Sequence, residues 1–237
     1  AGETGRPLWA FYTNRGQAIS SFGIKDRDSA MLEFQTANKA YQYTALQGFR
    51  TFVQTAGRPQ VYEPFSPLLQ DPKIHQGMVI RPHEVELQDH HPALGLDTKV
   101  IVFTVPHEEL PLLARLVEFT NTTTKDQALV FWDGLAQVVP YGLNEWLSKH
   151  MSRTMEAFMQ VLAKDKHIPF YQLKMEPSDT ADIKKIAGGF FAFAAAQGQL
   201  LAPCVNSATL FGTDTSLLAP RELPTGEVQE LTESVTP

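Results

Sequence analysis

Seven histidines and 26 Asp+Glu are the first places to look for metal or acid–base chemistry. His83, His90 and His91 lie among Glu84, Glu86 and Asp89. Neighbouring residues of a strand point to opposite faces, so His90 and His91 would not chelate one ion from a strand. Flanked by Asp89 and Pro92, they read as a surface loop. His150 falls on the flank of an expected helix, beside Met151, as a partly buried, hydrogen-bonded side chain. There is no Gly-x-Ser-x-Gly elbow and no Gly-x-x-x-x-Gly-Lys-Ser/Thr phosphate loop. Cys204 sits in an apolar Leu-Ala-Pro-Cys-Val-Asn run and reads as a small buried hydrophobe. No spacing marks a carboxylate pair. The residue patterns therefore assign no catalytic residue, no metal and no cofactor.

A polar and aromatic constellation remains. Trp132-Asp133-Gly134 ends an expected strand, and Pro140-Tyr-Gly-Leu-Asn-Glu-Trp leads into an expected helix. Aromatic faces take sugar C–H groups, and Asn, Asp and Glu bond hydroxyls. Tyr141, Asn144, Glu145 and Trp146 are accordingly the candidate substrate-binding residues. The competing account makes Trp132 and Trp146 anchors of the core. A second cluster, Tyr12-Thr-Asn-Arg-Gly-Gln, offers a fixed cation and an amide, or ties the N-terminal strand to its sheet.

The elements that must position these residues are mostly strands. Gly and Pro break the chain into short runs rich in Val, Ile, Phe and Thr. DTKVIVFTV (97–105), LARLVEFTN (113–121) and ALVFW (128–132) read as consecutive strands of an antiparallel meander. Residues 48–54, 168–175, 189–195, 199–205 and 208–211 are further strand candidates. Between 144 and 162 the pattern changes. Leu147, Met151, Met155, Phe158, Met159 and Leu162 follow a helical period, with Asn144 as N-cap and Glu145 in the first turn. From Phe158 on, the same residues could equally open a strand. The expected architecture is mainly β, an antiparallel sandwich with one main helix over residues 1–219. Residues 220–237, rich in Pro, Glu and Thr, read as an extended linker-like tail.

Composition excludes several function classes. The net charge of −6 comes without a Lys/Arg block, which argues against nucleic acid or anionic membrane as partner. At 43% hydrophobic and 19% charged, the chain is too apolar to be disordered. No run of 18 apolar residues marks a membrane span. A single cysteine rules out an intramolecular disulfide and fits a reducing, cytoplasmic setting. The start, Ala-Gly-Glu-Thr, carries neither Met nor a signal peptide and reads as a trimmed end.

Seven passages carry a family resemblance: NRGQAISSFGI (14–24), MLEFQTANKAYQYT (31–44), GFRTFV (48–53), RLVEFTNTT (115–123), DGLAQVVPYGLN (133–144), KHMSRTMEAFMQV (149–161) and FGTDTSLLAP (211–220). They resemble the N-terminal β-sandwich domain of the inverting β-glycoside phosphorylases. These are the cellobiose, chitobiose and β-1,3-glucan phosphorylases of glycoside hydrolase family 94 and its relatives 149 and 161. The resemblance implies a galactose-mutarotase-like super-sandwich that precedes a helical linker and an (α/α)6 barrel. That barrel carries the general acid and the phosphate site, so no catalytic residue is carried over. The whole enzyme would be a hexosyltransferase that uses inorganic phosphate as co-substrate and gives a sugar 1-phosphate. The implied partners are the catalytic barrel, a β-glucan oligosaccharide and a second subunit in a homodimer. A surface near Trp146, His150 and Arg153 is expected to pack on a neighbour. The alternative is a stand-alone carbohydrate-binding or assembly module without chemistry of its own.

Overall fold

Alternating burial along β6 and β7 organises the largest sheet. The computed structural model describes residues 7–68, 71–177, 181–220 and 223. In chain order the elements are β1 (Leu8–Tyr12), β2 (Ile19–Ile24), β3 (Ala30–Leu32), α1 (Ala37–Gln47), β4 (Phe49–Thr55), β5 (His75–Arg81), β6 (Glu84–His91), β7 (Leu96–Val105), β8 (Leu112–Asn121), β9 (Leu129–Leu135), α2 (Glu145–Met151), β10 (Met159–Leu162), β11 (Phe170–Leu173), β12 (Phe190–Phe191), β13 (Ala195–Ala196), β14 (Gln199–Leu200) and α3 (Ala208–Phe211). The protein is thus mainly β, with antiparallel strand pairs and few helices. It falls into two units. The first comprises Ala1–Lys25 and Phe34–Ala136, the second Asp26–Glu33 and Gln137–Pro237.

In the first unit β5, β6, β7 and β8 form an antiparallel meander in sequence order. β6 buries Val85, Leu87 and Asp89, and β7 buries Leu96, Thr98, Val100 and Val102, every second residue in each case. The other face carries charge: Lys99 pairs with Glu118, and Arg81 with Glu84 and Glu86. A second sheet pairs β4 with β9 through seven residues, Phe49 opposite Leu135 to Thr55 opposite Leu129. The two sheets meet through Phe119 and Phe131, whose ring centroids lie 5.2 Å apart. Tyr62, hydrogen-bonded by its backbone to Val53, also reaches across. Its hydroxyl donates to buried Asp89 at 2.6 Å. Burial, first, and the Asp89 carboxylate, second, hold the Tyr62 hydroxyl well above the usual phenol range.

A partly buried polar cluster closes this unit. Asp133 on β9 accepts hydrogen bonds from Thr51 on β4, at 2.6 Å, and from Arg115 on β8. Arg115 also donates to Gln17 and Thr51, and Gln17 Nε2 donates to Thr51 Oγ1 at 2.9 Å. The Arg115 side chain is 7% exposed. Its Nε finds no hydrogen bond among the described residues, but the guanidinium lies 5.1 Å from the face of Phe49, where cation–π attraction offsets part of the loss. The Tyr12–Gln17 loop is therefore a tie. Arg15 stacks on Tyr41 of α1 at 4.4 Å, and Gln17 reaches the sheet. Gly16, at φ +52°, lets the loop approach α1; a Cβ there would sit 2.6 Å from the Ala45 Cα.

The second unit is built from shorter pieces. β10, β11 and β12 form one small antiparallel sheet, and β13 pairs with β14. Leu143, Leu147, Met155 and Leu173 make its buried cluster, with Met151, Phe158, Met159 and Ile186 packed around them.

Several sequence expectations change. The helix expected near 144–158 is α-helical only through Met151 and Ser152–Phe158 winds as a 3-10 helix, while Met159–Leu162 is β10, the strand that the sequence left open from Phe158 on. Pairing with β11 decides this, and Lys174 N–H closes onto Phe158 O at 2.7 Å. The longest helix is α1, which the sequence pattern does not announce, because its buried face is Ala40, Thr44 and Ala45 rather than large apolar residues. β9 leaves the expected meander to pair with β4. Residues 83–91 form the β5–β6 hairpin end and strand β6, not a loop. Residues 208–211 form the one-turn helix α3, not a strand. The expected tail, 220–237, lies outside the described residues except for Pro220 and Leu223.

Candidate functional site

The start of α2 is fixed by its cap. Asn144 Oδ1 accepts the Leu147 N–H at 2.8 Å, and Asn144 O accepts from Ser148 at 3.0 Å. Glu145 follows in the first turn, where a carboxylate suits the positive end of the helix. Its N–H donates to Asp28 Oδ1 at 3.2 Å, and its carboxylate pairs with Arg27 at 2.8 Å and with Lys149 one turn on. The Lys149 hydrogen bond, and then the charge of Arg27, hold the Glu145 carboxyl below its usual range.

One side of α2 buries Leu147 in the Leu143–Met155–Leu173 cluster. Trp146, next in sequence, is left 59% exposed. Its ring stacks on His150 with centroids 4.7 Å apart and 17° between planes. His150 Nδ1 lies 2.9 Å from the Trp146 carbonyl oxygen. A carbonyl only accepts, so Nδ1 carries the proton, and Nε2 is the acceptor of the neutral ring. The result is an indole held at a helix start, with a carboxylate and a carboxamide within two residues of it.

Tyr141 has a different setting. Its N–H donates to Tyr171 O at 3.2 Å, and its O accepts from Leu173 N–H at 2.9 Å. Its ring stands edge-on to Phe190 at 5.4 Å. A Cβ on Gly188 would come within 2.6 Å of that ring. Tyr141 is thus packed on β11 and β12, while Asn144, Glu145 and Trp146 share the helix start. Burial pushes the Tyr171 hydroxyl up to about 12, with Cys204 adding to the shift. Trp132, half-buried, lies opposite Phe52 in the β4–β9 ladder of the first unit, and Asp133 is taken up by Thr51 and Arg115.

Sequence reasoning misses the supporting residues. The Trp146/His150 and Glu145/Lys149 pairs were legible as i, i+4 spacings on a helix. Arg27 and Asp28, 117 residues from Glu145 in the Asp28 contact, left no local signal.

The histidines of β6 point apart, as strand geometry demands. His91 meets Tyr62 edge-on at 4.5 Å, and His90 stacks on His75 at 6.4 Å and pairs with Asp97. Among the described residues no group of three or more His, Cys, Asp or Glu is placed to hold a metal ion. Nor is any helix among them long and apolar enough to cross a membrane. No protein-family model matches the chain, and no curated protein matches it.

Proposed function

We propose that the chain is the N-terminal, non-catalytic β domain of an inverting β-glucan or oligosaccharide phosphorylase, and that it contacts sugar at the start of α2. The observation that carries this reading is the exposed Trp146 ring, stacked on His150 beside Asn144 and Glu145. An indole presents a flat apolar face to sugar C–H groups at little entropic cost when a helix holds it. Glu145 accepts hydroxyl hydrogens. Asn144 Oδ1 is taken up by the cap, so its amide NH2 is the group it offers. The resemblance in the seven passages supplies the rest of the reading. A separate (α/α)6 barrel protonates the leaving oxygen with a general acid while phosphate attacks with inversion, in the place that water has in an inverting hydrolase. The domain packs on that barrel and rims its sugar site, in a cytoplasmic enzyme. The second reading, a stand-alone carbohydrate-binding module, rests on the same Trp146 platform.

Titration of the 237-residue chain with laminari- and cello-oligosaccharides, followed by indole fluorescence, tests the contact. The expected result is saturable binding that Trp146→Ala weakens by roughly tenfold or more, equivalent to about 1.4 kcal/mol. Binding that Trp146→Ala leaves unchanged sinks the contact. Incubation of the same chain with oligosaccharide and phosphate is expected to release no glucose 1-phosphate above blank. Release above blank would overturn the non-catalytic assignment.

A further inference from the structure

One row of the β5–β8 meander brings together polar side chains from three strands. His75 on β5 lies opposite His90 on β6, and His90 lies opposite Asp97 on β7. Directly opposed residues share a face of the sheet. This face is turned away from the core, because Asp89 and Thr98, next to His90 and Asp97, are the buried members of the alternation. His75 is exposed, and the side chains of His90 and Asp97 are 45% and 44% exposed.

The two imidazole rings are almost parallel, 6° between planes, with centroids 6.4 Å apart. His90 Nδ1 is in contact with Asp97 Oδ1. A carboxylate accepts, so Nδ1 carries the proton and Nε2 keeps its lone pair. A carboxylate behind an imidazole is the support that metal-ligating histidines use, because it fixes the tautomer and raises the basicity of the other nitrogen. The strand order puts Asp97 on one side of His90 and His75 on the other. His75 supplies a second imidazole. Its χ2 torsion is broad, so the exposed ring can turn a nitrogen toward an ion held by His90. In the next row of the same face Lys99 is paired with Glu118, which leaves the Asp97 charge to favour a cation.

We propose that His75 and His90 chelate one borderline divalent ion, Cu²⁺ in preference to Zn²⁺, with Asp97 bonded to His90 rather than to the metal and water filling the remaining positions. Imidazole ligands suit ions of this class, and the Irving–Williams order places copper first. Three protein ligands do not converge among the described residues, so the site is a two-point surface clamp and not a closed structural centre. Its place in the fold gives it an effect. β5 is an edge strand, and the turn between Arg81 and Glu84 ties its far end to β6. His75 is its first residue, where the long connection from β4 enters. An ion across His75 and His90 clips that open end to β6 and stabilises the folded sheet by mass action. This inference does not rest on the carbohydrate reading.

Isothermal titration of the full chain with Cu²⁺ tests the clamp, in a Cys204→Ser background that removes the thiol. One ion is expected to bind per chain. His75→Ala and His90→Ala are each expected to raise the dissociation constant at least tenfold, and Asp97→Asn about tenfold, as the loss of an outer-shell partner does. His83→Ala, at an exposed histidine beside the β5–β6 turn, is expected to leave it unchanged. Pulsed electron paramagnetic resonance of the bound copper should show two imidazole nitrogens in the parent and one in His75→Ala. Zn²⁺ should bind more weakly, and should raise the melting temperature of the parent but not of His75→Ala. Failure to bind one ion per chain, an affinity that His75→Ala leaves intact, an equal loss in His83→Ala, or a single imidazole on the bound copper overturns the proposal. An affinity unmoved by Asp97→Asn overturns the supporting role of that carboxylate. His75 is exposed at the start of an edge strand, so its variant decides the matter even if His90→Ala fails to fold.

Discussion

The β5–β8 sheet and the β10–β12 sheet are both antiparallel, yet they hold together differently. Strands β5 to β8 run seven to ten residues, and each is paired along its length. In β10 to β12 the strands run only four, four and two residues. Long ladders spread their stabilisation over many backbone bonds and cross-strand pairs. The first unit can therefore hold a partly buried polar cluster, because its long ladders and the loop before β2 bring the partners together: Gln17, Thr51, Arg115 and Asp133 hydrogen-bond one another. The second unit has little ladder to lean on. Its stability is concentrated in a few apolar side chains, Leu143, Leu147, Met155 and Leu173. The comparison suggests where each unit is weakest: an apolar plug in the second, a charge clip in the first.

The sharpest way to break this contrast is at the plug. Leu173 is 0% exposed, and Leu173→Ala is expected to cost about 3–5 kcal/mol through lost transfer energy and the cavity left behind. Native-state hydrogen exchange should show the loss first in the amides of β10 and β11. Amides of β6 and β7 that lose protection equally early would mean that the two units are not differently built.

Next comes the clip. Arg115→Met leaves the Asp133 carboxylate without its cation and Gln17 without a donor. It is expected to cost about 3 kcal/mol, at the low end for a buried pair because Asp133 retains some exposure. Replacing both partners, with Arg115→Met and Asp133→Leu together, is expected to recover much of that loss by urea denaturation. A double variant no better than the single would show that the cluster acts through shape rather than charge.

The smallest expected effect is at the exposed start of α2. The Glu145 carboxyl is held below its ordinary range in the folded chain by Lys149 and Arg27. A lowered folded-state value contributes stability that is full above the ordinary carboxylate pKa. It is lost as pH falls through the lowered value. Acidification below the usual carboxylate range should therefore loosen the first turn of α2 and change Trp146 fluorescence. Lys149→Ala should move the Glu145 titration, read by carboxyl-carbon NMR, back up toward the ordinary value. A titration that Lys149→Ala does not move would remove that pair from the account.

Legibility in the sequence follows the range of the interaction. β7 was readable as residues 97–105 because a run of β-branched and aromatic residues is a local signal, and the structure gives Leu96–Val105. β4 and β8 were legible for the same reason. α1 was not, because a helix face made of Ala and Thr carries no apolar period. The start of α2 was legible through Asn144 and Glu145, a cap and an acidic first turn. Its end was not. The residues from Phe158 to Leu162 fit a helix or a strand equally, and pairing with β11 selects the strand Met159–Leu162.

The amino-acid pattern alone determined the mainly-β class, the place of most long strands, the cap that starts α2 and the lack of a nucleophile motif. Each depends on residues a few positions apart, where spacing and side-chain type carry the signal. The tertiary structure decided which strands are neighbours, sending β9 to β4 instead of β8. It decided that Tyr141 packs under Phe190 while Trp146 stays open, and that Arg27 and Asp28 steady Glu145 from the far end of the sequence. These outcomes depend on contacts between residues many tens of positions apart. No local pattern encodes them, because the free energy that selects one partner over another exists only once both are in place.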